Sequence, residues 1–257
     1  MSSNDSIKKT LIVALSLCIV CSVIVSTAAV VLKPAQEANQ SLDRKRNILA
    51  AAGMLEEGVS VEEQFANITT RVVDLRTGMF TDDVDPDKYD QLKAAKESSQ
   101  SDALSTEEDI AKIFRREHYA LVYLAADDQG EIEKIILPVR GFGLWGTMYG
   151  FLALESDATT VAGIGFYQHK ETPGLGGEVD NPRWKAFWPG KQVYKDGSVE
   201  IGLIKGSVDP GSANAPWQID GLAGATLTAN GVTNLVQFWL GENGFQSFLD
   251  NLKSGEA

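Results

Sequence analysis

The sequence predicts an α+β protein, with a single N-terminal transmembrane helix followed by an extramembrane domain that has a largely antiparallel sheet and flanking helices. An uncharged apolar run at 11–32 has the length that a helix needs to cross a bilayer, about 20 residues. Strand-like alternation broken by short turns follows at 119–168, and an amphipathic helical pattern comes after it. Short turns between strands, followed by helices, favour antiparallel pairing over a doubly wound parallel sheet.

The apolar run reads LIVALSLCIVCSVIVSTAAVVL and follows Lys8 and Lys9. A secretory signal peptide is the competing interpretation, but its apolar region usually spans about 7–15 residues and this run is longer. We therefore predict a retained transmembrane helix at 11–32. Basic residues lie on both sides of it, but the short segment 1–10 is more simply placed in the cytoplasm. The rest of the chain is then expected in the periplasm, with the bacterial inner membrane as its anchor.

Composition excludes several classes of function. The net charge is −12 with a sequence pI near 4.7, so we expect no nucleic-acid partner, because phosphates would be repelled. Cys18 and Cys21 are the two cysteines, and both lie inside the apolar run. An iron–sulfur cluster held by this chain alone is excluded, because four thiolates are usually needed. We predict no metal site, so any redox role requires an organic cofactor.

Residues 33–117 are predicted to be mostly helical and loop-like. A helical pattern at 37–55 ends at Gly53. The segment 104–118, LSTEEDIAKIFRREH, opens with serine and threonine, followed three residues later by acidic residues. This is a capping signature, which indicates the start of a helix.

Residues 118–257 are predicted to form the second part of the extramembrane region, an α+β domain. The segment 119–139 has the pattern of a β-hairpin that turns at Asp128-Gln129-Gly130. The segment 146–168 has the pattern of a second hairpin, turning at Ser156-Asp157.

Two glycine-rich loops follow strand patterns in this domain. GFGLWG at 141–146 matches Gly-x-Gly-x-x-Gly, but a dinucleotide-binding loop is followed by a helix, whereas a strand pattern follows here. HKETPGLGGEV at 169–179 lacks the lysine and serine of a Walker loop. Trp145 in the first loop and Leu175 in the second lie among glycines, which is typical of backbone that approaches a flat aromatic ligand.

A third loop, DGLAGATLTANG at 220–231, precedes an amphipathic helix that ends at Gly241. The apolar face of this helix comprises Val232, Leu235, Val236, Trp239 and Leu240. Thr228 or Asn230 is a candidate N-cap. A helix N-terminus holds phosphate well, so Thr226 can itself carry a phosphate there. Taken alone, Gly-Ala-Thr is more simply explained as a helix start.

Taken together and in this order, the apolar run, GLWGTMYGF, ETPGLGGEV and DGLAGATLT resemble the C subunits of bacterial sodium-translocating NADH:quinone reductases. The resemblance extends over nearly the whole chain, and this family belongs to a wider group of FMN-binding domains. It implies FMN attached through its phosphate to the threonine of a Gly-Ala-Thr motif by a periplasmic, FAD-dependent flavin transferase. By position that threonine is Thr226, and Asp220 leads the motif. Ala223 stands where the family usually has serine or threonine.

The resemblance also implies the surroundings of the flavin. The residues expected to line the isoalloxazine ring are Trp145, Glu171, Thr172, Leu175 and Gly176. Lys205 is expected near the phosphate or the ring, and Gly224, Ala225 and Thr228 complete the attachment motif. The implied role is electron relay within a complex that oxidises NADH, reduces quinone and pumps sodium. The expected partners are the other subunits, the lipid bilayer and the flavin transferase; no catalytic residue is assigned.

Two alternatives remain at this stage. The flavin subunit of the related ferredoxin:NAD electron-transport complex shares ETPGLG and GAT, but the long region 33–117 and the N-terminal SNDSIKKTL favour the sodium pump. A periplasmic scaffold protein without flavin is the second alternative, supported by Ala223.

Overall fold

The computed structural model describes residues 6–127 and 129–257. The chain divides into two compact units, the first ending at Arg44 and the second comprising Lys45–Ala257. Among the described residues, one helix, α1 (Ile7–Ala51), is long and apolar enough to cross a membrane. Its apolar stretch is solvent-exposed throughout, as a lipid-facing helix requires.

Helix α1 joins two segments that the sequence predicts separately. The span 11–32 and the pattern at 37–55 form one continuous helix, with Pro34 in its interior. Proline removes a single backbone donor, and the helix continues through it. The end near Gly53 is confirmed: Gly53 has φ +67°, and the Met54 N–H donates to the Leu49 carbonyl at 2.8 Å.

The remaining helices and strands belong to the second unit. The helices are α2 (Val61–Phe65), α3 (Gln91–Ala94), α4 (Pro182–Lys185), α5 (Thr226–Leu240) and α6 (Gln246–Ser254), with 3-10 turns at Gly176–Asp180 and Ala215–Trp217. The strands are β1 (Ile68–Asp74), β2 (Met79–Thr81), β3 (Ser101–Ala103), β4 (Arg115–Glu117), β5 (Tyr119–Ala126), β6 (Ile132–Phe142), β7 (Thr147–Glu155), β8 (Val161–Gln168), β9 (Tyr194–Lys195), β10 (Ser198–Val199), β11 (Gly202–Leu203) and β12 (Gln218–Ile219).

The main sheet has six strands in the order β2-β1-β5-β6-β7-β8, and each neighbouring pair is antiparallel. The predicted α+β class and both hairpins are confirmed. In the first hairpin the Asp127 carboxylate accepts the N–H groups of Gln129 and Glu131, while Asp128 lies outside the described residues. In the second, the Asp157 carboxylate accepts the Thr159 and Thr160 N–H groups.

The prediction that 33–117 is mostly helical and loop-like omits strands β1 to β4, which lie in this region. Strand β1 lies inside the main sheet between β2 and β5, because its ITTRVVD sequence is rich in β-branched residues and pairs along its whole length with β5. The predicted helix at 104–118 is also absent. Ser105 and Glu108 form the expected reciprocal capping bonds, but the Asp109 carboxylate then accepts the Ile113 and Phe114 N–H groups and ends the turn.

Alternate residues of the sheet face two separate cores. On one face α5 and α6 pack through Leu235, Trp239 and Phe248, all essentially buried. On the other face the C-terminal end of α1 packs through Ile48 and Leu49. The first face carries the candidate site, because it holds α5 against the end of β6.

Candidate functional site

The three glycine-rich loops meet at one buried carboxylate, that of Glu171, whose residue is 5% exposed. Its Oε1 accepts the N–H groups of Leu144 (2.9 Å) and Trp145 (3.0 Å) from the first loop. Its Oε2 accepts the Thr228 hydroxyl (2.5 Å) from the first turn of α5. Segments far apart in sequence are therefore joined through a single side chain of the second loop.

Two glycines make this approach possible. A Cβ on Gly143 would lie 2.5 Å from Glu171 Oε1, and a Cβ on Gly176 would lie 2.5 Å from Thr228 Oγ1. No side chain fits at either position without moving the carboxylate or the hydroxyl. The glycines of GFGLWG and PGLGG therefore serve close packing between loops.

The third loop ends in a helix N-terminus without a side-chain cap. Gly224 has φ +70°, which turns the backbone, and Ala225 occupies the N-cap position of α5. Thr226 is the first helical residue and is exposed. The first N–H groups of a helix have no partner within the helix, so these amides face the loop surface beside Thr226.

The prediction that Thr228 or Asn230 caps the helix is wrong. Both lie inside α5, which begins at Thr226. Thr228 is fully buried, and its hydroxyl donates to Glu171 rather than accepting a backbone N–H group. The sequence placed Thr228 correctly near the start of the helix, but its hydrogen-bond partner, Glu171, comes from a different loop. The predicted end of the helix at Gly241 is confirmed.

A cleft of about 400 Å³ opens beside Thr226. It is lined by Leu203, Ile204, Lys205, Gly206, Ser207, Gly221, Leu222, Ala223, Gly224, Thr226, Ala229 and Asn230. The cleft thus brings Lys205 next to the turn that carries Thr226. Ser207 and Asn230 add polar groups to this cleft that the sequence did not identify as site residues, because nothing in their local pattern marks them.

A large apolar side chain is exposed on each of the first two glycine-rich loops. Trp145 is 63% exposed and Leu175 is 45% exposed. Leu175 lies directly against the motif, because its Cδ2 is 3.1 Å from where a Cβ on Gly224 would be. Thr172 is exposed, and its carbonyl accepts the N–H groups of Leu175 and Gly177, which closes the turn that presents Leu175.

Asp220 stabilises the loops that form the cleft. Its Oδ1 accepts the Val208 N–H at 2.8 Å, and its carbonyl accepts the Trp184 indole N–H at 3.0 Å. The next residue, Gly221, donates to the Gly206 carbonyl at 2.8 Å. Asp220 therefore holds the loop that carries Lys205 opposite the loop that carries Thr226.

His169 is a site residue that sequence reasoning missed. It opens the second loop, and its Nδ1 accepts the Glu171 N–H at 3.1 Å, while its Nε2 lies 2.7 Å from Asp180 Oδ2. The motif HKETPGLGGEV contains this histidine, but only the folded loop shows which atoms it contacts.

Comparison with known proteins agrees with this geometry. The model of the FMN-binding domain family matches residues 143–241, a region that includes most of the first loop and the whole of the second and third loops. The C subunit of the Na(+)-translocating NADH-quinone reductase of Pseudomonas aeruginosa is 58% identical over 100% of both chains. The corresponding C subunit of Yersinia pestis is 48% identical over 98% of this chain and 96% of its own length.

The chain belongs to the family of C subunits of Na(+)-translocating NADH-quinone reductases.

Solved structures from this family share its fold. The crystal structure of Shewanella oneidensis NqrC has a TM-score of 0.76 and 35% identity, and the match covers 82% of this chain and 97% of that one. The crystal structure of the C subunit from Parabacteroides distasonis has a TM-score of 0.65 and 26% identity, and the match covers 85% of this chain and 96% of that one.

Proposed function

We propose that this chain is a membrane-anchored flavoprotein subunit that carries FMN covalently on Thr226. It relays electrons inside the sodium-translocating NADH:quinone oxidoreductase, without binding NADH or quinone itself. One observation carries the proposal: the exposed Thr226 stands at an uncapped helix N-terminus, on the rim of a cleft. The names of its relatives, which cover the whole chain, support the assignment to this complex.

The surroundings of Thr226 suit an esterified phosphate. The N-terminus of α5, a helix of 15 residues, presents free amides and the positive end of the helix dipole. Lys205 lines the same cleft and supplies a positive charge in a chain of net charge −12. Glycine and alanine at 223–225 leave the Thr226 hydroxyl open to a large donor, such as FAD bound to a transferase.

The exposed apolar groups suit a flat ring. Trp145 and Leu175 offer surfaces against which an isoalloxazine can lie, and the cleft volume falls in the usual range for cofactor sites, about 300–1,000 Å³. FMN, when bound, supplies reversible electron transfer that protein side chains do not provide. A covalent tether removes the need for a deep pocket, so one edge of the flavin stays accessible to neighbouring subunits.

The experiment that tests this function is a denaturing gel of the chain expressed together with its flavin transferase. A fluorescent band under ultraviolet light is expected, because an ester bond survives denaturation. A dark band would instead favour the scaffold alternative that Ala223 suggests. Electron-transfer activity of the membranes, measured with NADH and quinone and compared with the activity measured with ferredoxin, separates this complex from the ferredoxin:NAD complex.

Charged substitutions beside the proposed ring are expected to disturb the flavin but not its attachment. Trp145→Asp and Leu175→Asp should keep the covalent bond, shift the visible absorption of the flavin and slow turnover, because a carboxylate replaces an apolar contact. Val59→Asp is the control, since Val59 is also an exposed apolar residue, at 42%, and lies outside the three loops. An unchanged spectrum and rate in both site variants would place the ring elsewhere.

The large unit is expected on the periplasmic side, with the N-terminus inside. A reporter that is active only in the periplasm, fused to the C-terminus of the full chain, should give a signal. A reporter that is active only in the cytoplasm should be silent at the same position. The reverse result would put Thr226 out of reach of a periplasmic transferase and overturn this topology.

A further inference from the structure

We propose that Glu171, held by His169 and paired with Thr228, is a positioning residue that sets the geometry of the flavin site. The proposal rests on the proposed function only in locating the flavin beside Thr226. Its physical content is that one buried carboxylate fixes the exposed Trp145 loop relative to the attachment turn. Glu171 was expected to line the isoalloxazine ring; here it acts through other groups.

Both oxygens of the Glu171 carboxylate are engaged inside the protein. Oε1 accepts two backbone N–H groups, from Leu144 and Trp145, and Oε2 accepts the Thr228 hydroxyl. The residue is 5% exposed, so the carboxylate depends on these donors to offset its lost hydration. Because both of its oxygens accept hydrogen bonds from the protein, the Glu171 carboxylate shapes the site through the two loops and the helix start that it joins.

The Glu171 carboxylate bridges the two parts of the proposed flavin site. One end fixes the backbone of Trp145, whose side chain is 63% exposed. The other end fixes Thr228, one half-turn of helix beyond Thr226. The Glu171 carboxylate therefore sets the separation between the apolar contact and the attachment hydroxyl through the backbone of Trp145 and the side chain of Thr228.

His169 fixes the backbone of Glu171. Its Nδ1 accepts the Glu171 N–H, so the ring proton resides on Nε2, which donates to Asp180 Oδ2 at 2.7 Å. Asp180 ends the 3-10 turn of the second loop. The histidine thus ties the start of this loop to its end and aims the Glu171 side chain at the other two loops.

The hydrogen-bond pattern predicts which substitutions the site tolerates. In Glu171→Gln the amide oxygen can accept from Leu144 and Trp145, and the amide nitrogen can donate to the Thr228 oxygen, since a hydroxyl also accepts. Glu171→Ala removes all three bonds of the side chain. At Thr228, serine keeps the donor, whereas valine keeps the shape and removes it.

The chain also offers a matched control in Asp157. Its Oδ1 accepts the Thr159 and Thr160 N–H groups and its Oδ2 accepts the Thr160 hydroxyl, which repeats the donor set of Glu171 within a single hairpin turn. Asp157→Ala therefore removes the same kinds of bond away from the glycine loops.

The first experiment uses the full chain in detergent, expressed without the transferase, so that it does not depend on flavin. Hydrogen exchange of the 141–148 peptide is read by mass spectrometry. Exchange should quicken about a hundredfold in Glu171→Ala and less than about tenfold in Glu171→Gln, as expected for bonds to a charged acceptor. Thr228→Val should quicken exchange less than Glu171→Ala does, because it removes one of the three bonds to the carboxylate, and Thr228→Ser should match the wild type. This pair decides if Glu171→Ala fails to fold.

The second experiment uses chains loaded with flavin. Glu171→Ala and Thr228→Val should shift the flavin spectrum and reduction potential, whereas Thr228→Ser and Asp157→Ala should match the wild type and Glu171→Gln should shift both quantities less than Glu171→Ala does. Wild-type exchange in Glu171→Ala, a glutamine variant as perturbed as alanine, or an equal effect of Asp157→Ala would each overturn the proposal. A wild type that takes up no flavin would defeat the proposed function and leave the exchange result standing.

Discussion

Thr226→Ala is expected to abolish covalent flavin while the chain still inserts and folds. Thr226 is exposed at the first position of α5, and no hydrogen bond of its hydroxyl is found within the described ranges 6–127 and 129–257. The methyl group of alanine therefore replaces a side chain that the fold does not use, and alanine is the best helix former. Thr226→Ser should retain part of the flavin, because the hydroxyl survives.

Peptide mass spectrometry of the segment 220–231 measures this directly. The added FMN is expected on Thr226, since Thr228 is fully buried and its hydroxyl donates to Glu171. FMN on Thr228, or none in protein made together with its transferase, would contradict the assignment. Thr228→Ala should keep Thr226 available but cost about 1–3 kcal/mol, because it leaves a buried carboxylate oxygen without its donor.

Breaking the buried ion pair between Glu117 and Arg140 is expected to cause the largest loss of stability. Glu117 is fully buried and Arg140 is 7% exposed, and two N–O contacts of 2.6 Å join them. Gln91 also donates to Glu117, and the Arg140 guanidinium lies 5.1 Å from the centre of the Trp239 ring. Glu117→Ala should cost about 3–5 kcal/mol, because it strands a buried charge.

Thermal unfolding of the full chain in detergent, followed by tryptophan fluorescence, tests this expectation. Arg76→Met is the control, since it breaks the more exposed ion pair between Arg76 and Asp74. The Arg76 side chain is 45% exposed. Such a pair is worth about 0–1 kcal/mol. The double variant Glu117→Met with Arg140→Met should recover much of the loss, because an apolar pair leaves no uncompensated charge. Equal losses from Glu117→Ala and Arg76→Met would refute the argument.

Local sequence patterns predicted much of the fold. The long apolar helix, both hairpins of the sheet and the helix that ends at Gly241 follow from periodicity and turn residues that act over a few positions. The same patterns marked the three glycine loops, whereas the resemblance to a known family was needed to predict Thr226 as the attachment residue. These features depend mainly on residues that are close together in the chain, so a local sequence pattern is enough to predict them.

Only the tertiary structure decided which distant groups became partners. Strand β1 joined the main sheet because β5 offered it a pairing edge, although the segment patterns in 33–117 had predicted helices and loops. The capping pair of Ser105 and Glu108 formed but did not extend into a helix, because Asp109 captured the next amides. Thr228 donates to a carboxylate 57 residues away instead of capping its own helix. By itself, the sequence determined the segments and their local ends. The partners of these segments depended on which strand edges, donors and acceptors the packed chain brought within reach. The physical reason is that a buried polar group must find a hydrogen-bond partner wherever the fold supplies one.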